Sequence, residues 1–428
     1  MRFRPGAEIL GPVKFGIFFE HQLPRPWEEG DEAALFQAGL EQCELADRLG
    51  YDYLWQVEHH FLEEYSHSSA PEIFLAAASQ RTKRIRLGHG VRLMPTPYNH
   101  PVRVAEQLAT LDLISGGRVE WGTGTSASRV ELEGFGIAPG DRHAMWAEST
   151  RECVRMLSES PYPGFEGRFF RMPAREVLPK PMQKPHPPLW LACATLAAVE
   201  IAARHGMGAL AFRPLTAAEA KAWVDRYYAV LTTECVPLGL TINANFAVVS
   251  GFGCAESREE AIARFGPGLE FYELALAHYY RFGRHRPGQT DLAADLARAR
   301  PYLRREMPDL IEASPILDTP EALARFCEGY EAAGVDQLSF FHHAGRTRHE
   351  HVLEGLELFA RTLPRFAARE PARAARRAEQ VEAIREAAFA RRAAQPVPAP
   401  LPNPPIEAYT RAEYEPLLRR LKRHLPEV

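Results

Sequence analysis

The sequence predicts an α/β protein, a (β/α)8 TIM barrel with insertions and a helical, Pro-containing C-terminal extension. Three observations predict it. Short apolar runs and amphipathic stretches alternate as eight strand-then-helix units between Val13 and residue 363. The runs are apolar throughout, as in strands buried on both faces of a parallel sheet. Prolines open several of the helices and a glycine stops the first. Eight units in this order fit a closed barrel better than an open doubly wound sheet, which stays as the alternative because pattern counting does not prove closure.

Residues 13–20 (VKFGIFFE) are the first strand, short, apolar and aromatic. Residues 33–49 follow as a helix with Leu35, Ala38, Leu40, Leu45 and Leu49 as its apolar positions, and Gly50 is its stop. Residues 51–58 (YDYLWQVE) are the second strand, and Pro71 opens a helix through Gln80. Residues 85–94 are the third strand, and Pro101 opens the helix that runs to Ile114. Residues 118–124 are the fourth strand. Helix 142–158 leads into a Pro- and Gly-rich excursion, 160–187. Strand 189–193, helix 195–205, strand 209–212, helix 216–231 and strand 243–251 come next. A long, charged, mostly helical region spans 256–312. The barrel ends with helix 319–333, capped by Asp318 or Thr319, strand 337–341 and helix 347–363.

The tail differs in composition. Two regions are expected, the barrel over 1–364 and the extension over 365–428. Residues 365–395 are rich in Ala, Arg and Glu and read as a solvated helix. Residues 396–405 (PVPAPLPNPP) read as a polyproline spacer. A short basic helix, 410–424, follows; Leu417, Leu418, Leu421 and Leu425 form a stripe that needs a surface, on the barrel's outside or on a second protomer.

Composition bounds the function. Hydrophobic residues make up 46% and charged residues 25%, which excludes wholesale disorder. A net charge of −4 gives no indication of nucleic-acid binding. The six cysteines stand far apart with no CxxC pair, which speaks against a zinc ribbon, a redox motif or a disulfide framework. The N-terminal MRFRPGAEILGPVKFG has no apolar run of signal-peptide length, and no stretch approaches the roughly 20 apolar residues of a membrane span. The expectation is a soluble cytoplasmic protein without membrane or nucleic-acid partners.

In a barrel, reactive groups lie at the C-terminal strand ends and in the loops after them. That rule selects Glu20-His21, Glu58-His59-His60, Thr96 with His100, the run from Gly122 to Ser128, Cys193-Ala194-Thr195 and His342-His343. Glu58-His59-His60 is the sharpest. It reads as an acid/base or hydrogen-bonding site, with structural histidines as the rival; neighbouring side chains diverge and HExxH spacing is absent, so no metal is expected. The small and hydroxyl residues Thr123, Gly124, Thr125 and Ser126 let backbone amides approach an anion or a flat ring, or simply make a turn. Thr195 starts a helix, whose free N–H groups make a natural phosphate seat.

These residues also resemble a known family. VKFGIFFEHQ, WQVEHHFLEEYSHSSAPEIFLAAASQRTKRIRLGHGV, NHPVRVAEQLATLDLISGGRVEWGTGTS, ELEGFG and DTPEALARFCEGYEAAGVDQLSFF are similar, in order and spacing, to the bacterial luciferase-like flavin-dependent monooxygenases. The resemblance covers residues 13–363 and implies a (β/α)8 barrel that binds FMN, or in one branch a deazaflavin, at its C-terminal mouth. It places His59 over the reactive edge of the flavin; Glu58 is expected to tune the orientation of that ring. It places Gly90-Val91 at a non-prolyl cis peptide behind the ring, Thr123, Gly124, Thr125 and Ser126 beside ring and phosphate, and Ala194, Thr195 and Leu196 at the phosphate. Two departures stand out. Many members have an arginine where this chain has Thr125, with Arg129 four residues on, and Ala198 replaces a second hydroxyl. The resemblance implies an oxidoreductase that takes reduced FMN from a separate NAD(P)H-dependent flavin reductase and uses O2 to oxidise a small organic substrate. The 160–187 and 256–312 insertions would shape the pocket or a lid. A deazaflavin-dependent dehydrogenase and a silent partner subunit are the rival readings. The family commonly forms dimers, so a homodimer is expected.

Overall fold

The computed structural model describes residues 13–303, 311, 313–395, 399–406 and 411–424. The rest of the predicted helical region 256–312, the first three residues of the proline spacer, the start of the last helix, Leu425 and most of the N-terminal stretch lie outside the described residues. So do the side chains of Tyr414 and Leu417.

Eight parallel strands close into a barrel in sequential order: β1 (Lys14–Phe19), β2 (Tyr53–Gln56), β3 (Arg86–Leu93), β4 (Val119–Gly124), β5 (Leu189–Cys193), β6 (Gly208–Ala211), β7 (Phe246–Gly251) and β8 (Gln337–Phe341), which pairs back with β1. The fold is a TIM barrel, and the open-sheet alternative is excluded by the β1–β8 ladder from Lys14–Gln337 to Phe18–Phe341. The interior is filled by side chains, as in other barrels of this size. Trp55, Trp121 and Trp190 are fully buried, and Trp55 meets Trp190 edge-on at 5.4 Å. Trp55 reaches inward only because Gly88 faces it; a Cβ on Gly88 would stand 2.2 Å from the indole.

The helices among the described residues are α1 (Asp31–Leu49), α2 (Pro71–Arg81), α3 (Pro101–Ser115), α4 (Arg129–Gly134), α5 (Arg142–Ser158), α6 (Leu196–Arg204), α7 (Ala217–Glu234), α8 (Arg258–Ala277), α9 (Leu292–Leu303), α10 (Pro320–Ala332), α11 (His349–Ala360), α12 (Leu363–Ala367), α13 (Glu370–Ala393) and α14 (Arg411–His424). Gly50 ends α1 at φ +96, where its N–H caps the Ala46 and Asp47 carbonyls. Thr319 caps α10 by accepting the Ala322 N–H. The six cysteines are free and buried. Among the described residues no helix is long and apolar enough to cross a membrane.

The two insertions behave differently. The chain leaves the barrel at Gly253–Cys254 and returns at Leu317–Asp318, and these two short strands pair in parallel. Between them α8, a π-helical turn (His278–Phe282) and α9 pack on Leu62 and Tyr65 in the loop after β2, forming a second apolar cluster. The 160–187 excursion, by contrast, runs outside the barrel. Its hairpin (Phe165–Glu166 with Arg171–Met172) is held by Glu148 of α5, and Gln183 binds Asp112 at the end of α3. Its root precedes a strand, at the N-terminal end of the barrel, while its hairpin reaches the other end, where Phe170 meets His100 edge-on at 5.6 Å and Arg168 pairs with Asp141 at 2.7 Å.

The 365–395 segment is not merely a solvated helix. In α13, Ile384 and Ala388 are buried in the main core, which α12 joins through Phe366. Small Ala side chains let α13 lie close to α7, and arginines supply donors to carbonyls left over at the strand starts. Arg377 binds Asp336, the Ala244 carbonyl and, at 2.8 Å, the Tyr228 hydroxyl. Arg391 donates to the Cys235 carbonyl at 2.8 Å. Arg377→Ala leaves the 2%-exposed Asp336 side chain without its cation, so unfolding in denaturant is expected to show a loss of about 3 kcal/mol. An unchanged midpoint would mean that the α13 anchor carries no stability.

Candidate active site

β2 ends at Gln56, and the chain continues through Val57 to Glu58-His59-His60 at the mouth of the barrel. His59 stands between two carboxylates. Its Nδ1 is 3.1 Å from Glu131 Oε1 and its Nε2 is 3.6 Å from Glu20 Oε2. Glu131, on α4, is fully buried and also accepts the His60 N–H at 2.9 Å and the Ser126 hydroxyl at 2.5 Å. Ser126 is at φ +58, a backbone region that costs a serine about 1 kcal/mol or more and is often found at functional turns. Here the turn aims the hydroxyl at Glu131. Glu20 follows β1; its Oε1 accepts the Tyr65 hydroxyl at 3.1 Å, while Oε2 has no hydrogen-bond partner.

The electrostatics follow from this clamp. Burial opposes a charged His59, but the carboxylates of Glu131, Glu20 and Glu58 outweigh it and raise its pKa to about 9. Burial wins at Glu20, which rises to about 7 against the opposing pull of His59 and the Tyr65 hydrogen bond. The turn that follows α8 brings the Tyr280 hydroxyl to 3.4 Å from His59 Nδ1, and Tyr65 and Tyr280 meet the imidazole edge-on at 5.6 and 6.4 Å.

Glu58 is placed otherwise than expected. It does not touch His59. Its Oε2 accepts the Leu93 N–H at 2.8 Å and faces Arg92 at 3.6 Å, and its Oε1 accepts Asn99 at 2.8 Å and lies 3.3 Å from His60. Burial alone would raise its pKa, but Arg92, His60, Asn99 and the Leu93 amide together hold the carboxyl below the usual range. Successive side chains point to opposite sides of an extended chain, so Glu58 and His60 face β3 while His59 faces Glu20. Glu58 is a clamp between strand ends, and the positioning role expected of it falls to Glu131.

The glycine-hydroxyl run divides in the same way. Thr123 is fully buried, donates to the Trp190 carbonyl and accepts the Trp146 indole N–H, both at 3.0 Å, so its hydroxyl is spent inside the barrel wall. Gly122 and Gly124 are required by packing. β3 slips register against β4 between His89 and Arg92, and the displaced backbone leans on β4: a Cβ on Gly122 would be 2.0 Å from the His89 carbonyl, and one on Gly124 would be 2.5 Å from Val91 Cγ2. The Gly90–Val91 peptide at this slip is cis. Part-exposed Val91 and Ala192 flank the buried Gly124 at this slip. Thr125 donates to the Ser126 carbonyl at 2.9 Å. Ala194, Thr195 and Leu196 are exposed at the start of α6, where Thr195 accepts the Ala198 N–H. Arg129 pairs with Glu133 on its own helix at 2.6 Å and faces solvent. Among the described residues no group of three or more His, Cys, Asp or Glu side chains could hold a metal ion.

A family profile described as luciferase-like monooxygenase matches residues 13–337. The chain therefore belongs to the luciferase-like monooxygenase family. It is 24% identical over 335 residues to the oxygenase component of the flavin-dependent trigonelline monooxygenase of Acinetobacter baylyi, covering 77% of this chain and 89% of that one. It is 35% identical over 184 residues to protein y4wF of Sinorhizobium fredii, a match that spans 42% of this chain and only 50% of that protein. Among solved structures, the monooxygenase RslO1 of Streptomyces bottropensis superposes with a TM-score of 0.68 at 28% identity, over 83% of this chain and all (100%) of that one. Two others share the fold. The oxygenating constituent of 3,6-diketocamphane monooxygenase from Pseudomonas putida, in complex with FMN, has a TM-score of 0.62 at 18% identity, over 82% of this chain and 97% of that one. An F420-dependent secondary alcohol dehydrogenase has a TM-score of 0.60 at 19% identity, over 82% and 98%.

The different surroundings of Glu58 and His59 are separable by mutation. Glu58→Ala strips Arg92 and the Leu93 amide of a buried partner and is expected to cost about 3 kcal/mol in unfolding free energy. His59→Ala is expected to cost less, because Glu20, already raised to about 7, takes up a proton when the imidazole is removed and Glu131 keeps the His60 N–H and the Ser126 hydroxyl. Equal losses in denaturant titrations would contradict this division of labour.

Proposed function

We propose that this chain is the oxygenase of a two-component flavin-dependent monooxygenase, acting on a small organic substrate with reduced FMN and O2. The observation that carries the reading is His59, held at the barrel mouth by Glu131 and faced by Glu20. The family membership supports it, and the relative named as an oxygenase component supports a separate NAD(P)H-dependent flavin reductase as partner.

Gly90, Val91 and Gly124 would underlie the flavin ring, and Ala194, Thr195 and Leu196 with the amides of α6 would seat its phosphate. Arg213, which follows β6 beside that turn, would supply the cation that Thr125 lacks; the Phe212 N–H donates to the Cys193 carbonyl and sets the two segments side by side. Reduced flavin, when bound, supplies the electrons and the activation of O2. The protein's part is proton handling and exclusion of water. Glu131 fixes the His59 ring through Nδ1, which leaves Nε2 as the edge that gives or takes a proton. Tyr65 and Tyr280 pack edge-on against the imidazole, and Tyr272 stacks on Tyr65 behind them.

His59→Ala is expected to keep the fold and to lower turnover about 10²-fold, assayed with a flavin reductase and a substrate panel read by mass spectrometry for added oxygen. His60→Ala should lose far less. Turnover at the wild-type rate in His59→Ala would refute the assignment. The missing arginine at 125 favours one second reading, a deazaflavin-dependent dehydrogenase that works without O2. Binding titrations of the purified chain with reduced FMN and with reduced deazaflavin separate the two: tighter binding of the deazaflavin would displace the oxygenase reading.

A further inference from the structure

We propose that Glu20 is a positioning residue that keeps the Nε2 edge of His59 protonated, so that the acid/base group of this mouth is a Glu131–His59–Glu20 unit rather than a lone histidine. The inference rests on the assignment of His59 above, and three features of the geometry carry it. Glu20 leaves the end of β1 with a side chain only 5% exposed, yet Oε2 has no hydrogen-bond partner and points at His59 Nε2 from 3.6 Å. A buried carboxylate oxygen without a donor is costly unless a charge or a bound group answers it. The other oxygen is committed to Tyr65, and the Glu20 carbonyl accepts the Ser66 hydroxyl at 2.7 Å, so the side chain is not free to swing away.

The groups facing Glu20 come from five other segments. His59 comes from the loop after β2, Tyr65 from the turn Glu63–Tyr65, Glu131 from α4 and Tyr272 from α8. Tyr280, from the turn after α8, also senses Glu20. Only His59 is a cation, so Glu20 and His59 stabilise each other's charged forms while Glu131 repels Glu20. The adjacent His21 does not compete, since burial and neighbouring histidines push it down to about 3, leaving it neutral. With Nδ1–H given to Glu131, an ionised Glu20 selects the doubly protonated imidazole. Once Glu20 is protonated, in the range near 7, that support is withdrawn.

The test is a pH titration of His59 by NMR in the full-length, flavin-free chain, with the resonance assigned by its loss in His59→Ala. In E20Q, which keeps the shape and the Tyr65 hydrogen bond, the His59 midpoint is expected to fall by about one pH unit or more. An unchanged midpoint overturns the proposal. Should E20Q not fold by circular dichroism, E20D gives the same decision, with a smaller fall supporting the unit and no fall refuting it. The rate profile adds a second readout: a limb near pH 7 in the wild type, retained by E20D, should vanish in E20Q. A fallen midpoint in a protein that oxidises nothing with any flavin would leave the unit standing and sink the oxygenase reading. An unchanged midpoint in an active oxygenase would do the reverse.

Discussion

The mouth of this barrel depends on one buried carboxylate. β2 pairs with β3 only as far as Gln56 and His89, so their ends at the C-terminal face are not tied by ladder bonds. Glu58 ties them instead. It takes the Leu93 amide, the Asn99 side chain and the charge of Arg92, which is itself bound to Glu72, Asn99 and Gln107. Removing a carboxylate from water costs several kcal/mol, and this density of donors offsets it. Everything at the mouth is measured from this point, because His59 is the next residue in the chain.

That adjacency explains how one tripeptide serves two ends. An extended backbone turns successive side chains to opposite sides. Glu58 and His60 therefore share the β3 side, where His60 stacks on Tyr98 and meets Phe135 edge-on. His59 alone faces the β1 side, between Glu20 and Glu131. Rigidity on one side of the backbone sets the position from which the ring on the other meets Glu20, Glu131 and Tyr280.

The barrel was legible because strand and helix periods survive averaging over a whole element. Helix 142–158 and strands 189–193 and 337–341 have the predicted bounds. Strand 243–251 begins later, at Phe246, because Asn243 is spent on the Leu189 carbonyl and its own carbonyl on Tyr227. The mouth was only half legible. Chain order marks which residues end a strand, so His59 stood out, but its partners are set by tertiary approach. Glu131 is 72 residues away on a six-residue helix too short to show a period, and Tyr280 is 221 residues away in a charged insertion. Thr123 shows the converse failure. A hydroxyl beside two glycines reads as a ligand seat, yet the strand alternation turns it into the wall, where two tryptophans take both of its hydrogen-bonding roles.

The additions to the barrel sort by which end they reach. The 256–312 insertion is rooted at Gly253–Cys254 and Leu317–Asp318, beyond the end of β7, and it delivers Tyr272 and Tyr280 to the site. α13 closes on the opposite end, where Arg377 gathers Asp336, Ala244 and Tyr228 ahead of β8 and β7. In a barrel the C-terminal face carries chemistry and the N-terminal face carries stability. An Ala-rich helix bound through arginine to leftover carbonyls suits the second task, since it adds cohesion without lining a pocket. An insertion that brings Tyr272 and Tyr280 to the mouth suits the first, since phenol rings exclude water while the Tyr280 hydroxyl still meets His59. The polarity of the barrel thus predicts what each appended segment is made of, and both segments obey it.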